Sequence, residues 1–326
     1  MTESLTKHPL AEAELRTLVR TAFGAQITVD RWSELTDGSY NAAFAVSLDD
    51  GRDLVLKVAP PPQLRLLTHE VELMRTEVDV YRIAATAGVD VPAVVSADFR
   101  RTVIGTDYVF LSRVDGVAFD TVRDTMTAEA LASVRAQVST AATTLHRVTG
   151  VAFGYPLRDS ESWQPTWRAS FGAMVTDILG DAVRLDSRLP MPAARIGELL
   201  RDHADLLDDI DRPALVHFDL WDGNIFVRPD PALGWRVTGL IDGERALYGD
   251  PVSELVSLGL FREFDEATLA PFGEITDRDW RRLHLYTTYL YVIMAVEGAT
   301  RGWHSPERRE YESWLGDRLA ELLAKL

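Results

Sequence analysis

The chain contains no cysteine, almost no lysine and no long apolar run. Without cysteine it can form neither a disulfide bond nor a thiolate metal site, and it has no thiol nucleophile. No apolar run is long enough to span a membrane, and the polar residues 1–15 do not resemble a secretory signal. We therefore expect a cytoplasmic protein without a membrane partner.

Basic residues are also fewer than acidic ones. Fifty acidic residues oppose 34 basic ones, which gives a formal net charge of −16. This balance argues against nucleic acid or an anionic membrane surface as the main partner. It suits a cationic small molecule, although an acidic surface in many proteins serves only solubility. An apolar fraction of 46% over 326 residues is enough for one large domain or for two lobes around a cleft.

The scarcity of lysine makes each one informative. Lysine occurs only at Lys7, Lys57 and Lys325, and Lys57 alone lies away from the termini. It falls within residues 53–59, a run rich in Val and Leu that predicts a strand. A compact ammonium on a flexible stem suits contact with phosphate oxygens better than the planar fork of arginine does. A surface lysine on an edge strand is the alternative.

The most informative stretch runs from His217 to Asn224 and reads His-Phe-Asp-Leu-Trp-Asp-Gly-Asn. Asp219 and Asn224 lie five positions apart, and Asp242 follows within a Leu-Ile-Asp-Gly sequence. A phosphoryl-transfer enzyme needs one carboxylate to accept the proton of an attacking hydroxyl. It then needs an amide oxygen and a second carboxylate to hold the metal ions bound to ATP. We therefore predict that Asp219 is catalytic and that Asn224 and Asp242 bind Mg²⁺.

This loop resembles that of the aminoglycoside phosphotransferase and choline kinase-like family, which reads His-x-Asp-x-x-x-x-Asn. The resemblance extends over about residues 28–258. It implies an α+β, bilobal protein-kinase-like fold, with a small antiparallel sheet in the N-terminal lobe and a mostly helical C-terminal lobe. It also implies ATP or GTP as the phosphoryl donor. Residues 111–116 resemble the link between the lobes, so we expect the lobes to comprise residues 1–113 and 114–326.

The resemblance also assigns a phosphate-covering turn to residues 36–41. There Gly38 would let backbone NH groups approach the nucleotide phosphates, and Ser39 would offer a hydroxyl. This turn is similar to the single-glycine loop of the family and differs from the multi-glycine loop of protein kinases. An ordinary hairpin turn is the alternative.

A long helix is predicted over residues 68–87. Kinase chemistry needs a carboxylate on this helix to pair with Lys57 and hold it at the phosphates. Glu77 stands where similar family members carry that carboxylate. We expect it to contribute to nucleotide binding by pairing with Lys57. Glu70 and Glu72 are the other candidates, and a solvated helix face is the alternative for each.

Hydrophobic periodicity and turn residues predict the other elements. The predicted strands are residues 27–35, 42–48, 53–59, 91–95, 108–111, 213–216, 225–227 and 235–241. The other predicted helices are residues 10–23, 128–148, 166–179, 193–210 and 251–259.

Several polar residues are assigned to supporting the catalytic loop. His217 is expected to organise the loop, and His146 is expected to be structural. Asp250 before Pro251 is typical of a helix N-cap. Glu254 stands where family members often carry Asp, a position whose implied role is mainly structural.

Gly249-Asp250-Pro251 follows Asp242 too soon for the activation segment on which a protein kinase docks a peptide, so the acceptor is expected to be a small molecule. It is expected to carry a hydroxyl group and to be cationic or sugar-containing. The Leu220–Trp221 pair also resembles fructosamine kinases. Three alternatives stay open: a phosphotransferase of an aminoglycoside, macrolide or nucleoside antibiotic, a metabolic kinase for a ketosamine, amino alcohol or sugar, and a non-catalytic nucleotide-binding module. The protein is expected to be a monomer or homodimer.

Residues of the last helices are candidates for the acceptor pocket, with a place in the core as the alternative for the aromatic ones. These candidates are Tyr286, Tyr289, Glu297, Trp303 and Trp314.

Overall fold

The computed structural model describes residues 4–36, 38–156, 163–303 and 305–326. Its N-terminal lobe is an antiparallel sheet with two helices. The strands are β1 (Val29–Leu35), β2 (Ala42–Leu48), β3 (Asp53–Val58), β4 (Val94–Asp98) and β5 (Tyr108–Ser112), and the helices are α1 (Glu12–Phe23) and α2 (Leu73–Thr86). The strands lie in the order β1-β2-β3-β5-β4, and each neighbouring pair is antiparallel.

The two faces of the sheet contact different helices. Alternate residues of β2 and β3 pack with α1 into one apolar cluster, as expected from the two-residue period of a strand. Lys57 lies between Leu56 and Val58 of that cluster and therefore projects from the opposite face, towards α2. Because β3 is flanked by β2 and β5, the edge-strand alternative for Lys57 does not apply.

The predicted helix over residues 68–87 is interrupted, so that prediction was wrong in its first turn. The chain forms a 3-10 turn at Thr68–Glu70, adopts a left-handed conformation at Glu72 (φ 58°), and only then enters α2. The tertiary contact of Glu70 explains the break. Its buried carboxylate accepts a hydrogen bond from Arg301, 231 residues later, at 2.5 Å, and one from the backbone N–H of Leu67 at 2.9 Å, which closes the 3-10 turn.

The C-terminal lobe is mostly helical, as predicted. Its helices are α3 (Ala128–Leu145), α4 (Trp167–Arg184), α5 (Ala193–Asp202), α6 (Leu255–Leu258), α7 (Glu266–Leu269), α8 (Asp277–Arg301) and α9 (Pro306–Leu323). Its short strands are β6 (Val117–Ala118), β7 (Ala214–Val216), β8 (Ile225–Asp230), β9 (Gly234–Leu240) and β10 (Leu247–Gly249). In the described ranges, no helix is both long and apolar enough to cross a membrane.

Several element boundaries differ from their predictions by a few residues, and two of these differences have a local explanation or change the type of helix. The strand expected at residues 91–95 begins at Val94, because Pro92 has no N–H to donate to the ladder. The helix expected at 193–210 ends at Asp202 and continues as the 3-10 turn Ala204–Asp209. Neither difference moves a predicted site residue.

Candidate active site

The catalytic loop between β7 and β8 is held from the side of α6 by Glu254. This fully buried carboxylate accepts backbone hydrogen bonds from His217 at 2.8 Å and from Phe218 at 2.9 Å. Burial favours its protonated form, but the contacts with His146 and His217 outweigh it and keep the pKa of Glu254 below its usual value. Phe218 has a left-handed backbone conformation (φ 64°), which such anchoring maintains against its strain. Glu254 and His146 therefore act in the structure as loop supports.

In the same loop, one of the two polar atoms of the Asn224 side-chain amide already has a hydrogen-bond partner. Its Nδ2 donates to the backbone oxygen of Asp219 at 2.9 Å, which leaves Oδ1 available to a ligand. Because β8 and β9 are antiparallel, the chain returns to the loop after β9, and the amide of Ile241 donates to the backbone oxygen of Asn224 at 2.9 Å. Asp242 thereby lies beside the loop that carries Asp219.

A closed ring of hydrogen bonds joins the two lobes at this point. Lys57 Nζ donates to Glu77 Oε1 at 2.6 Å and also to Asp242 Oδ1. The hydroxyl of Tyr81 donates to the same Glu77 oxygen at 2.7 Å and accepts from the backbone N–H of Asp242 at 3.0 Å. Of the three candidate glutamates, Glu77 is the one that the structure brings to Lys57. Tyr81 was not predicted, although its spacing of four residues from Glu77 places both on one helix face.

The ring keeps Lys57 charged in a buried setting. Burial acts to lower the pKa of Lys57, but the carboxylates of Asp242 and Glu77 outweigh it and raise the pKa well above its usual value. Burial raises the pKa of Glu77, against the lowering effect of the Lys57 ammonium. Glu77 Oε2 is buried and has no hydrogen-bond partner among the described residues. The lysine is therefore fixed in position by a carboxylate that itself reaches no solvent.

Asp219 is a partly shielded carboxylate, with 23% of its side chain exposed. Burial raises its pKa to about 6, while Arg245 acts in the opposite direction. The Arg245 Nε lies 3.9 Å from Asp219 Oδ2, and its Nη2 donates to Glu297 Oε2 on α8 at 2.9 Å. Arg245 was missed by the sequence analysis, since nothing in its local pattern distinguishes it from other arginines.

The predicted phosphate-covering turn lies next to this cleft, but Asp37 is outside the described residues. A Cβ added at Gly38 would meet only the backbone oxygen of Asn41, at 4.0 Å, so the turn is open at this position. Asn41 Nδ2 donates to Glu244 Oε2 at 2.7 Å, which ties the end of the turn to the C-terminal lobe. The roles of Gly38 and Ser39 stay predictions.

Carboxylates outnumber cations in the cleft. The acidic side chains are Glu77, Asp219, Asp242, Glu244 and Glu297, and the basic ones are Lys57 and Arg245. Burial and the neighbouring carboxylates of Glu77 and Asp242 raise the pKa of Glu244 to about 8, a sign of uncompensated negative charge. Such a site favours a divalent cation. Among the described residues no three Asp, Glu or His side chains converge to hold a metal by themselves. A Mg²⁺ ion held by Asn224 and Asp242 would complete its shell with phosphates and water.

Two of the four aromatic candidates for the acceptor pocket lie in the core. Tyr286 and Tyr289 are buried in the core, and the Tyr286 hydroxyl donates to Asp250 at 2.8 Å. Asp250 also caps the turn after it by accepting from the backbone of Val252 at 3.0 Å, as predicted. Trp314 differs, because 39% of it is exposed.

Comparison with solved structures shows the fold. A candidate fructosamine-3-kinase from Thermobifida fusca YX-ER1 is 20% identical, with a TM-score of 0.64 over 96% of this chain and 99% of that chain. The GDP and kanamycin complex of an APH(2'') enzyme is 19% identical, with a TM-score of 0.63 over 96% and 98%. The gentamicin complex of APH(2'')-IIa is 15% identical, with a TM-score of 0.66 over 98% of both chains. The predicted bilobal, protein-kinase-like α+β fold is confirmed.

Sequence comparison identifies the family. No curated protein matches the chain at a significant level. The model of the phosphotransferase enzyme family matches residues 31–286. This range includes the catalytic loop, Lys57 and Glu77, and it ends within α8, before Glu297. The resemblance inferred from the catalytic loop is thus confirmed, and the chain belongs to the phosphotransferase enzyme family as a small-molecule kinase.

Proposed function

We propose that this kinase transfers the γ-phosphoryl group of ATP or GTP, together with Mg²⁺, to a hydroxyl group of a small molecule. The observation that supports this proposal is the ring that fixes Lys57 between Glu77 and Asp242, next to a loop carrying Asp219 and Asn224. A nucleotide-binding module that had lost its catalytic activity would not need this complete set of residues, so we rank the non-catalytic alternative last.

Each residue of the set has a part in the proposed reaction. The acceptor oxygen attacks the γ-phosphorus, the bond from that phosphorus to the bridging oxygen of the nucleoside diphosphate breaks, and Asp219 accepts the hydroxyl proton. Lys57 contacts the phosphates, and the turn at Gly38 and Ser39 covers them. Asn224 Oδ1 and the Asp242 carboxylate would hold Mg²⁺. When bound, the metal neutralises charge that develops on the phosphate oxygens.

The family and the fold leave two classes of acceptor open. Similar structures include aminoglycoside phosphotransferases with kanamycin or gentamicin and a candidate fructosamine kinase. An antibiotic-inactivating phosphotransferase and a metabolic kinase for a ketosamine, amino alcohol or sugar both fit. The lobe division at residues 113 and 114, the cytoplasmic location and the monomeric or homodimeric state stay predictions.

A turnover assay tests the proposed reaction. Mg²⁺-dependent release of ADP from ATP is measured against aminoglycosides, macrolides, nucleoside antibiotics, fructosyl-amines and choline-like alcohols, with Asp219→Ala as the inactive control. Stimulation by one class, absent in Asp219→Ala, is the expected result and would name the acceptor class. A chain that binds no nucleotide in the presence of Mg²⁺ would overturn the proposal.

The pKa of Asp219 allows an independent test of its role. A base works only when it is ionised, so kcat/KM for the acceptor should fall about tenfold per pH unit below the pKa of Asp219, which is raised to about 6. Because Arg245 lowers this pKa, Arg245→Gln should move the acid limb of the profile to higher pH. Arg236→Gln, at a half-exposed position on β9, is the matched control. A limb that stays in place in Arg245→Gln would contradict the assignment.

A further inference from the structure

The turn at residues 36–41 is held by segment 4–7, which precedes α1 in the chain. The hydroxyl of Thr6 donates to the backbone oxygen of Ser39 at 2.8 Å, across 33 residues. Lys7 Nζ donates to the backbone oxygen of Thr36 at 3.2 Å, across 29 residues. Two carbonyl groups of the turn are therefore fixed by side chains that lie far from it in the sequence.

Segment 4–7 also reaches the C-terminal lobe. The backbone N–H of Leu5 donates at 3.0 Å to the backbone oxygen of Arg301, the last residue of α8. The side chain of Leu5 packs closely over Gly302, where an added Cβ would lie only 2.6 Å from Leu5 Cδ1. The segment therefore joins the end of α8 to the turn between β1 and β2, and so links the two lobes.

The hydrogen bonds of Thr6 allow one direction only. Thr6 is fully buried, and because its hydroxyl proton goes to Ser39, the Ser4 hydroxyl 2.8 Å away must donate to Thr6 Oγ1. The N–H and C=O of a trans peptide point in opposite directions. The bond from Thr6 to the Ser39 oxygen therefore directs the N–H of Tyr40 away from segment 4–7. In this way Thr6 determines which side of the turn presents that N–H.

The turn lies beside the cleft that contains Lys57. Ala43, two residues after the turn, is the partner of Lys57 in the β2–β3 ladder. Asn41 donates to Glu244, which is close enough to Lys57 for the ammonium to lower the pKa of this carboxyl against the effect of burial. The turn is therefore next to the lysine that we assign to the phosphates.

Arg301 supports the same turn with its side chain. Its guanidinium lies 4.9 Å from the centre of the Tyr40 ring and donates to the carboxylate of Glu70 at 2.5 Å. The hydroxyl of Tyr40 in turn donates to the backbone oxygen of Glu70 at 2.9 Å. Arg301 is only 2% exposed. The end of α8 thus holds the turn through Leu5 and segment 4–7 on one path and through Tyr40 on another.

We propose that Thr6 is a positioning residue of the nucleotide site, which fixes the peptide group between Ser39 and Tyr40 in the conformation that receives the phosphates. This proposal rests on the proposed function, in which the turn covers the phosphates. Backbone N–H groups of such turns bind phosphate oxygens when they point to one side. Without Thr6 fewer molecules hold the turn in the competent conformation, and the apparent affinity for the nucleotide falls with that fraction.

Nucleotide binding tests the proposal without an acceptor. Calorimetric titration in the presence of Mg²⁺ compares a nucleoside triphosphate, ATP or GTP, with its nucleoside. Thr6→Val keeps the shape of the side chain and removes the hydroxyl. It should weaken triphosphate binding at least about threefold and leave nucleoside binding within about twofold, since only the triphosphate contacts the turn and one buried hydrogen bond is lost.

Two further variants complete this test. Thr6→Ser keeps the hydroxyl and should restore triphosphate affinity to within about twofold of that of the unchanged protein. Thr21→Val, at an exposed position on α1 whose hydroxyl bonds only to Thr17 of the same helix, should change neither affinity. A triphosphate affinity that Thr6→Val leaves unchanged, or an equal loss for triphosphate and nucleoside, would overturn the proposal.

Turnover separates this proposal from the proposed function. In Thr6→Val the KM for the nucleotide should rise at least about threefold while the KM for the acceptor stays within about twofold. A lower kcat with an unchanged KM for the nucleotide would overturn the positioning role and leave the kinase proposal intact. Weaker triphosphate binding in Thr6→Val, in a chain that phosphorylates no acceptor, would support the positioning of the turn and contradict the proposed reaction.

Discussion

Asp219→Asn should lower kcat about a thousandfold, within the range that a positioned base contributes, and leave nucleotide affinity within about twofold. The amide keeps the shape of the side chain but cannot accept the hydroxyl proton. Lys57, Asn224 and Asp242, which we assign to the phosphates and the metal, remain in place. Single-turnover ADP formation measures the first quantity, and calorimetric titration with nucleotide and Mg²⁺ measures the second.

A stability measurement distinguishes a loss of catalysis from a loss of folding in Asp219→Asn. Burial raises the pKa of Asp219 above the value of about 3.9 expected in the unfolded chain. The native state therefore binds more protons between about pH 4 and pH 6, and its stability decreases as pH rises through that window. A neutral asparagine avoids this cost, so the melting temperature of Asp219→Asn at neutral pH should be unchanged or higher. Asp30→Asn, an exposed site on β1, is the control, and turnover that survives in Asp219→Asn would identify another group as the base.

Lys57→Met should abolish activity and lower the free energy of unfolding by about 3 kcal/mol. Only 11% of the Lys57 side chain and none of the Glu77 side chain is exposed, so removal of the ammonium leaves a buried carboxylate without its partner. The double variant Lys57→Met, Glu77→Leu also removes the fully buried carboxylate and should recover part of the lost stability while remaining inactive. Recovery is incomplete because Asp242 still lacks its cation and the Tyr81 hydroxyl loses its acceptor. Chemical denaturation and ADP release measure the two effects separately.

An exposed ion pair provides the matched control for that experiment. Arg195 and Glu198 lie 2.8 Å apart on α5, and more than half of each side chain is exposed. Arg195→Met and its double variant with Glu198→Leu should each change the free energy of unfolding by less than about 1 kcal/mol. Full activity in the double variant at Lys57 and Glu77 would show that Lys57 does not contact the phosphates.

The sequence by itself determined which residue types could carry the chemistry. Lys57 was distinguishable because lysine is scarce, and its position in a Val- and Leu-rich run predicted a strand that the structure confirms. Asp219, Asn224 and Asp242 were distinguishable by order and spacing, and the resemblance they carried led to the correct family and fold class. These are short-range signals, since a strand period or a turn is complete within a few residues and Asp219 and Asp242 are only 23 positions apart.

Only the tertiary structure decided which partners these residues meet. Tyr81 closes the ring with Asp242 across 161 residues, and Glu70 leaves the predicted helix to meet Arg301 across 231 residues. Arg245 became notable only because folding places it between Asp219 and Glu297. A cavity in the C-terminal lobe is likewise lined by residues of α6, α8 and α9, which are separate in the chain. Such contacts depend on burial and on the directions of distant elements, and no local pattern of side chains records either.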